Sequence, residues 1–389
     1  LVGSEMCIRD RGIVANPINT LGRDIFLKKF LKIISMLPVE NVIVITGYPI
    51  PSNIPKNVKI IPIKIYKSNV KTLVLKMLRT YSCEILFSLK ILVYMKKCNV
   101  IIIFGAGRVF PTLISKMLRK KIILHVGGLF SQRAHKTHGK HIMGLGKYII
   151  PTIARLQEIF TFLIADVIAV ESRSAIKQLG LERYYAKVSD KGSTYVDITL
   201  FKPFVDVTKR KAIGFVGRLS PEKGILEFIK AIPYILKALP DIEILIVGDG
   251  PLKEYVIKEI SSIRNKYKSS TIRVLGHVNN KELPSIYNQI RILVMPSYAE
   301  GLPNVLLEAM ACGTPVLISP VGGVTDIVRD NVSGFILRSR GPLTIARSII
   351  HLYHKEYLLK KISKNARLII EQYFSQQRAS LRWKNIIYK

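Results

Sequence analysis

Along the chain, short continuous apolar runs alternate with longer stretches in which apolar positions recur every three or four residues. The first kind reads as strand buried on both faces and the second as amphipathic helix. Ile25 to Leu37 has helical spacing, and Asn41 to Thr46 (NVIVIT) then reads as a buried strand ending at Gly47. Val58 to Ile65 is strand-like, Lys71 to Met95 helical and basic, and Val100 to Phe104 (VIIIF) and Lys121 to Val126 are strands. Ala165 to Ala169 continues the series, with a helix from Ser172 to Leu179. Such alternation predicts a mostly parallel sheet covered by helices on both faces.

The alternation pauses around Leu200-Phe201-Lys202-Pro203-Phe204 and restarts at Ala212 to Val216, which places a domain boundary between them. Strands then follow at Glu243 to Val247, Ile272 to Leu275, Ile292 to Met295, Val316 to Ser319 and Phe335 to Leu337, each separated from the next by a helix. These βα units predict a second doubly wound domain. No repeat of solenoid length and no low-complexity tract interrupts them.

Composition narrows the function classes. The 389 residues include 60 Lys plus Arg against 26 Asp plus Glu, a net charge of +34, yet 49% are hydrophobic, which excludes disorder as the main state. Between Asn41 and Gln157 stand 20 cations and one acid, Glu84, so the excess charge belongs to the first domain. It predicts docking on an anionic membrane surface, aided by the amphipathic stretch Lys71 to Lys97. The apolar run from Tyr148 to Val170 is broken by Arg155, Glu158 and Asp166, so no transmembrane segment is expected. Cys7, Cys83, Cys98 and Cys312 form no CxxC pair, which favours a reducing compartment over a disulfide framework.

The first residues carry another signal. Glu5-Met6-Cys7-Ile8-Arg9-Asp10-Arg11 reads back through the genetic code as GAG ATG TGT ATA AGA GAC AG plus one base, which resembles the mosaic end of a transposase sequencing adapter. Residues 1–11 are therefore expected to be non-native, with the first strand of the first domain missing. A genomic read continuing in frame across the junction, with no adapter, would remove that expectation.

Ligands of open parallel sheets bind beyond the carboxyl ends of the strands, so the loops after the second-domain strands hold the candidate chemistry. Gly217-Arg218-Leu219-Ser220-Pro221-Glu222-Lys223-Gly224 offers two cations in a Gly-bounded turn. Arg218 could grip a diphosphate bidentately and Lys223 as a point charge, whereas a solvated basic loop is the plainer reading. After Met295 come Glu300-Gly301-Leu302-Pro303-Asn304-Val305 and then Glu308, with Gly313 as the helix stop. Free amides of Leu302, Asn304 and Val305 would face an anion. Glu308 sits among apolar Leu306 and Leu307, so it needs a partner: ribose hydroxyls, or a structural group of the protein.

Arg-x4-Lys, Gly248-Asp249-Gly250-Pro251, Gly276-His277-Val278 and Glu-x7-Glu with GLPN, taken together, resemble the donor-binding domain of family 4 glycosyltransferases. The resemblance covers nearly the whole chain, with Ser193 to Pro203 similar to the interdomain segment and Phe374 to Tyr388, containing Trp383, similar to the C-terminal crossover helix. It implies an α/β GT-B fold, two Rossmann-like doubly wound domains facing across a cleft: 12–200 on the acceptor side, 201–373 binding donor, and 374–389 packing back on the first. It implies that Arg218 and Lys223 hold the donor diphosphate and stabilise the leaving group. Glu308 would accept from ribose hydroxyls, and Gly276 and Val278 would edge the base. Gly217 and the stretch Gly301, Leu302, Pro303, Asn304 and Val305 would cradle phosphate and sugar. Glu300 would sit near the transferred sugar, either as nucleophile or beside a leaving phosphate that guides same-face attack. His125 resembles the family's strand-end histidine facing the sugar, against the plainer reading of a satisfied core histidine. Retaining transfer from a nucleotide-sugar to a glycan or lipid-linked acceptor follows, with no cofactor and no metal.

Other signals are weaker. His135, His138 and His141 have a ligand-like spacing, but Arg133, Lys136 and Lys140 beside them disfavour a cation. A basic nucleic-acid-binding protein would share the charge but needs a module that is absent here, so no nucleic-acid partner is expected. A nucleotide-sugar epimerase on the same fold would need catalytic His and acid pairs that are not evident. The expected location is cytoplasmic, peripheral on the inner face of the plasma membrane.

Overall fold

A computed structural model describes residues 11–16, 23–37, 41–46, 58–62, 82, 84–86, 88–93, 98–129, 131, 146–190, 192, 194–268 and 271–388. They fall into two compact units, 1–193 with 379–389, and 194–378. The boundary lies at 194 and not 201 because Val196 bridges to Ser375 and its amide donates to Phe374 O, which ties both ends of the second unit together.

In the first unit seven parallel strands take the order β3-β2-β1-β4-β5-β6-β7. They are β1 (Arg11–Asn16), β2 (Asn41–Thr46), β3 (Val58–Pro62), β4 (Val100–Phe104), β5 (Lys121–Val126), β6 (Val167–Val170) and β7 (Val188–Ser189). The helices are α1 (Arg23–Ile34), α2 (Val109–Met117), α3 (Gly146–Ile164) and α4 (Arg173–Gln178), and residues 84–86 and 88–93 are helical too.

The first strand is present, which corrects the expectation that it is missing. β1 lies at the centre of the sheet, with Ile13 to Ala15 in register with Val42 to Val44 on one side and Val100 to Ile102 on the other. Its apolar run is only Ile13-Val14-Ala15, too short to stand out alone, and pairing with two neighbours makes it a strand. Arg11, assigned to the non-native stretch, opens this strand, and residues 1–10 lie outside the described residues. Most of Lys71 to Met95 and the three histidines 135, 138 and 141 also lie outside them.

The strands β4 and β5 are buried along almost their whole length, with Ile101, Ile103, Ile122 and Leu124 in one cluster with Phe162 and Ile168. The C-terminal helix, Gln376–Tyr388, brings Trp383 into this unit, fully buried, edge-on to Phe30 and stacked at 6.2 Å on His125.

In the second unit six parallel strands take the order β10-β9-β8-β11-β12-β13. They are β8 (Ala212–Val216), β9 (Glu243–Val247), β10 (Ile272–Gly276), β11 (Ile290–Met295), β12 (Val316–Ile318) and β13 (Phe335–Ile336). Alternate residues of β8 feed opposite faces: Ile213 and Phe215 pack with Phe228 and Ile232, and Ala212 and Val216 with Leu306 and Leu307. Burial on both faces is why these strands read as unbroken apolar runs. The helices are α5 (Ile225–Ala238), α6 (Lys253–Tyr267), α7 (Leu283–Tyr287), α8 (Asn304–Ala311), α9 (Pro342–Tyr353) and α10 (Glu356–Tyr373), and the C-terminal helix α11 (Gln376–Tyr388) only begins in this unit.

Strand order reverses between β8 and β11, so their following loops diverge and leave a crevice at the carboxyl end of the sheet. That is where the site lies.

Candidate functional site

Two loops form the crevice. After β8, a short helical turn at Pro221–Lys223 leads into α5 through Gly224, whose φ of +72° is left-handed. A Cβ at Gly224 would meet Pro296 O at 2.2 Å, so only glycine lets this turn lie against the segment after β11. The contact continues in the hydrogen bond from Tyr298 N to Glu222 O, 2.9 Å. On the far side, Gly322 (φ +60°) would place a Cβ 1.9 Å from Glu300 O, and Gly323 N donates to Gly301 O at 2.8 Å. The loop carrying Glu300 is thus held between two others by backbone contacts that tolerate no side chain.

The crevice encloses a cavity of about 280 Å³. Its walls include eight of the expected site residues, Gly217, Arg218, Lys223, Glu300, Leu302, Pro303, Asn304 and Val305, with Phe215, Val216, Met295 and Ser297. Lys223 and Glu300, 77 residues apart, are bonded to each other: Nζ to Oε2 is 2.6 Å, and Ser297 Oγ donates to Oε1 at 2.8 Å. The Glu300 side chain is 5% exposed and that of Lys223 29%, so the carboxylate is enclosed and the ammonium reaches solvent. Arg218 is exposed and borders the cavity, and its carbonyl accepts from Ser220 N at 2.9 Å.

The helix α8 begins at the same cavity. Pro303, extended at φ −74° and ψ 129°, is its N-cap, and its carbonyl accepts from Leu306 N and Leu307 N. Pro303 therefore stands one residue before the first helical turn. The partial positive charge of the helix start faces the cavity beside two cations, a combination suited to an anion such as diphosphate. Two arginines, Arg210 buried and Arg367 half-buried, hold the other end of the helix. Arg367 Nη1 donates to Ala311 O at 2.7 Å and to Phe201 O at 2.6 Å. Arg210, 3% exposed, donates to Cys312 O, Val205 O, Tyr287 O, Thr314 Oγ1 and Asn288 Oδ1. Burial pulls the Arg210 guanidinium down to about 10.

The remaining expected residues stand elsewhere. Gly301 serves through its carbonyl. Gly276, at the end of β10, accepts from Gly248 N at 2.7 Å and, like Val278, does not line this cavity. Glu308 is 8% exposed and accepts from Tyr287 Oη at 3.0 Å, so it has a structural partner within the protein. Tyr287 is fully buried, and burial followed by the Glu308 charge raises its hydroxyl well above the ordinary range. His125 belongs to the first unit, where it is 5% exposed, with Nε2 2.7 Å from Glu171 Oε1 and its ring between Phe104 and Trp383. These are the surroundings of a satisfied core histidine.

Residues 197–369 match the family Glycosyl transferases group 1. An uncharacterized glycosyltransferase of Methanocaldococcus jannaschii is 33% identical over 159 residues, 40% of this chain and 40% of that protein. The UDP-Gal:alpha-D-GlcNAc-diphosphoundecaprenol alpha-1,3-galactosyltransferase of Escherichia coli is 29% identical over 49% of this chain and 51% of its own length. The chain thus spans between two fifths and about half of these curated relatives. HepE of Anabaena, solved in complex with UDP, superposes over 97% of this chain and 99% of its own with a TM-score of 0.70 at 19% identity, a likeness of fold. Both units thus have the α/β, Rossmann-like architecture of GT-B proteins.

Proposed function

From the match of residues 197–369 to the group 1 glycosyltransferases, we propose that the chain moves a sugar from a nucleotide-diphosphate sugar to a glycan or lipid-linked acceptor, with family 4 chemistry and retention of anomeric configuration. The observation that carries this reading is the cavity at the β8/β11 reversal, where Arg218, Lys223 and the start of α8 converge with the enclosed carboxylate of Glu300.

The acceptor hydroxyl attacks the anomeric carbon while the bond from that carbon to the diphosphate oxygen breaks. The nucleoside diphosphate departs with the electron pair, and the hydroxyl proton leaves with it. Charge grows on the diphosphate as the bond lengthens. Arg218, Lys223 and the amides at the α8 N-terminus are fixed positive partners for that charge, so they stabilise the transition state more than the ground state. They fill the place a metal ion takes in other transferases, and we propose metal-independent transfer on that ground. Glu300, bonded to Lys223, would meet the sugar in this reading.

A nucleotide-sugar donor agrees with the UDP in HepE and the UDP-Gal in the name of the Escherichia coli relative, whose diphosphoundecaprenol acceptor motivates the lipid-linked assignment. Thermal-shift screening with UDP, GDP and ADP sugars tests the reading. A stabilising nucleotide-sugar whose effect is lost in Lys223→Met supports it, and no response to any of them, or one untouched by Lys223→Met, sinks it.

A further inference from the structure

The first unit exposes apolar side chains in a pattern its own fold does not use. On α3 they are Ile149, Ile153, Leu156, Phe160 and Leu163, spaced four, three, four and three, which is one stripe about 21 Å long. Leu156 and Leu163 are 62% and 60% exposed. On α2 the exposed set is Phe110, Leu113 and Met117, the last 73% exposed. The helical residues before β4 add Leu89, Leu92 and Val93. The three helical segments are neighbours. Arg108, just before α2, bonds Glu84 at 3.0 Å, and Gly107 N donates to Thr161 of α3 at 3.1 Å.

Charge on this region has one sign. The three acids between Asn41 and Asp166 are all committed: Glu84 to Arg108, Glu158 to the amide and hydroxyl of Ser131, and Asp166 to Lys116 and the Ile122 amide. Glu84 and Glu158 are buried, while Lys90 and Arg119 are exposed on the same segments. Large apolar side chains beside uncompensated cations suit a surface that is greasy within and anionic outside.

We propose that this helical face docks the first unit on an anionic lipid bilayer, with Leu156, Leu163, Met117 and Val93 entering the acyl boundary and Lys90 and Arg119 meeting phosphate headgroups. Among the described residues no helix is long and apolar enough to cross a membrane, so the helices lie along the interface and do not span it. The assignment is independent of the donor reading, because all its residues belong to the first unit.

Co-sedimentation of the full chain with vesicles of phosphatidylcholine containing phosphatidylglycerol, and with phosphatidylcholine alone, tests it at low and high salt. Wild type should prefer anionic vesicles and lose the preference at high salt. Leu156→Gln with Leu163→Gln, and separately Lys90→Glu with Arg119→Glu, should each weaken that binding by about ten-fold or more. All four positions are on the surface, so melting temperature and UDP-induced thermal shift should stay those of wild type. Equal binding to both vesicle types, or wild-type binding by both double variants, overturns the proposal. Light scattering covers the rival occupant: a wild-type dimer made monomeric by the leucine substitutions with vesicle binding intact makes the face a contact between copies and also overturns it.

Discussion

Lys223 cannot serve a donor diphosphate and keep its present bond to Glu300 unchanged, and that conflict has a measurable size. At 2.6 Å and an effective dielectric of ~20 the gross attraction is about 6 kcal/mol. Desolvation of the enclosed carboxylate offsets most of it, and Lys223 retains contact with water, which leaves a coupling of ~1–3 kcal/mol. A diphosphate that draws the ammonium away must overcome this. Glu300→Gln removes both the competing charge and its repulsion of the anion, so it should tighten binding of a bare nucleoside diphosphate by roughly 3- to 10-fold. Lys223→Met should weaken the same binding by about 10-fold or more. In the double variant the gain from Glu300→Gln should shrink, since no lysine remains to be released. Isothermal titration of nucleoside diphosphate into the four proteins gives the whole cycle. Weaker binding by Glu300→Gln, or a gain undiminished in the Lys223→Met background, would refute the hand-over.

Tyr287→Phe leaves the buried Glu308 without the hydroxyl that reaches it at 3.0 Å, and urea unfolding should show a loss of ~1–3 kcal/mol. Asp206 caps the turn at Val207–Lys209, and the Thr208 amide, then its hydroxyl, hold the carboxyl below its ordinary value of 3.8. Because the folded value lies below the unfolded one, this stabilisation is present above that ordinary value and is lost as pH falls through the folded one. Asp206→Ala should cost about 0.5–2 kcal/mol near neutrality and flatten that acid limb, read from denaturant midpoints across pH. Burial pushes the Cys98 thiol up to about 11 and that of Cys312 up to about 12. Alkylation at pH 8 followed by peptide mapping should therefore leave both unlabelled in the native protein and label them in urea.

The strands were legible wherever both their faces are buried. NVIVIT and EILIV each became strands with the predicted bounds, because a continuous apolar run admits few other uses inside a parallel sheet. The strand β1 escaped because RGIVAN has three aliphatic residues and follows a segment that reads as foreign. The site loops were legible as chemistry, since Arg218, Lys223, Glu300 and the start of α8 do line one cavity. The pairings within them were not. Nothing in the spacing of Lys223 and Glu300 tells that one will hold the other, and Tyr287 stands 21 residues from Glu308. Arg210 was hidden most completely, as the middle cation of Lys209-Arg210-Lys211, whose outer two are exposed while it alone is buried. Its distinguishing feature is a set of acceptors drawn from three separate segments, which no local pattern encodes.

The two arginines at the far end of α8 also set a voltage. Eight residues of helix span only ~12 Å, so guanidinium groups on the carbonyls of Ala311 and Cys312 cancel the negative pole that would otherwise oppose the positive one at the cavity. The short helix then behaves less like a dipole than like a single positive charge presented to the cavity. The charge facing the cavity could therefore be retuned at Arg210 or Arg367, residues that do not line it.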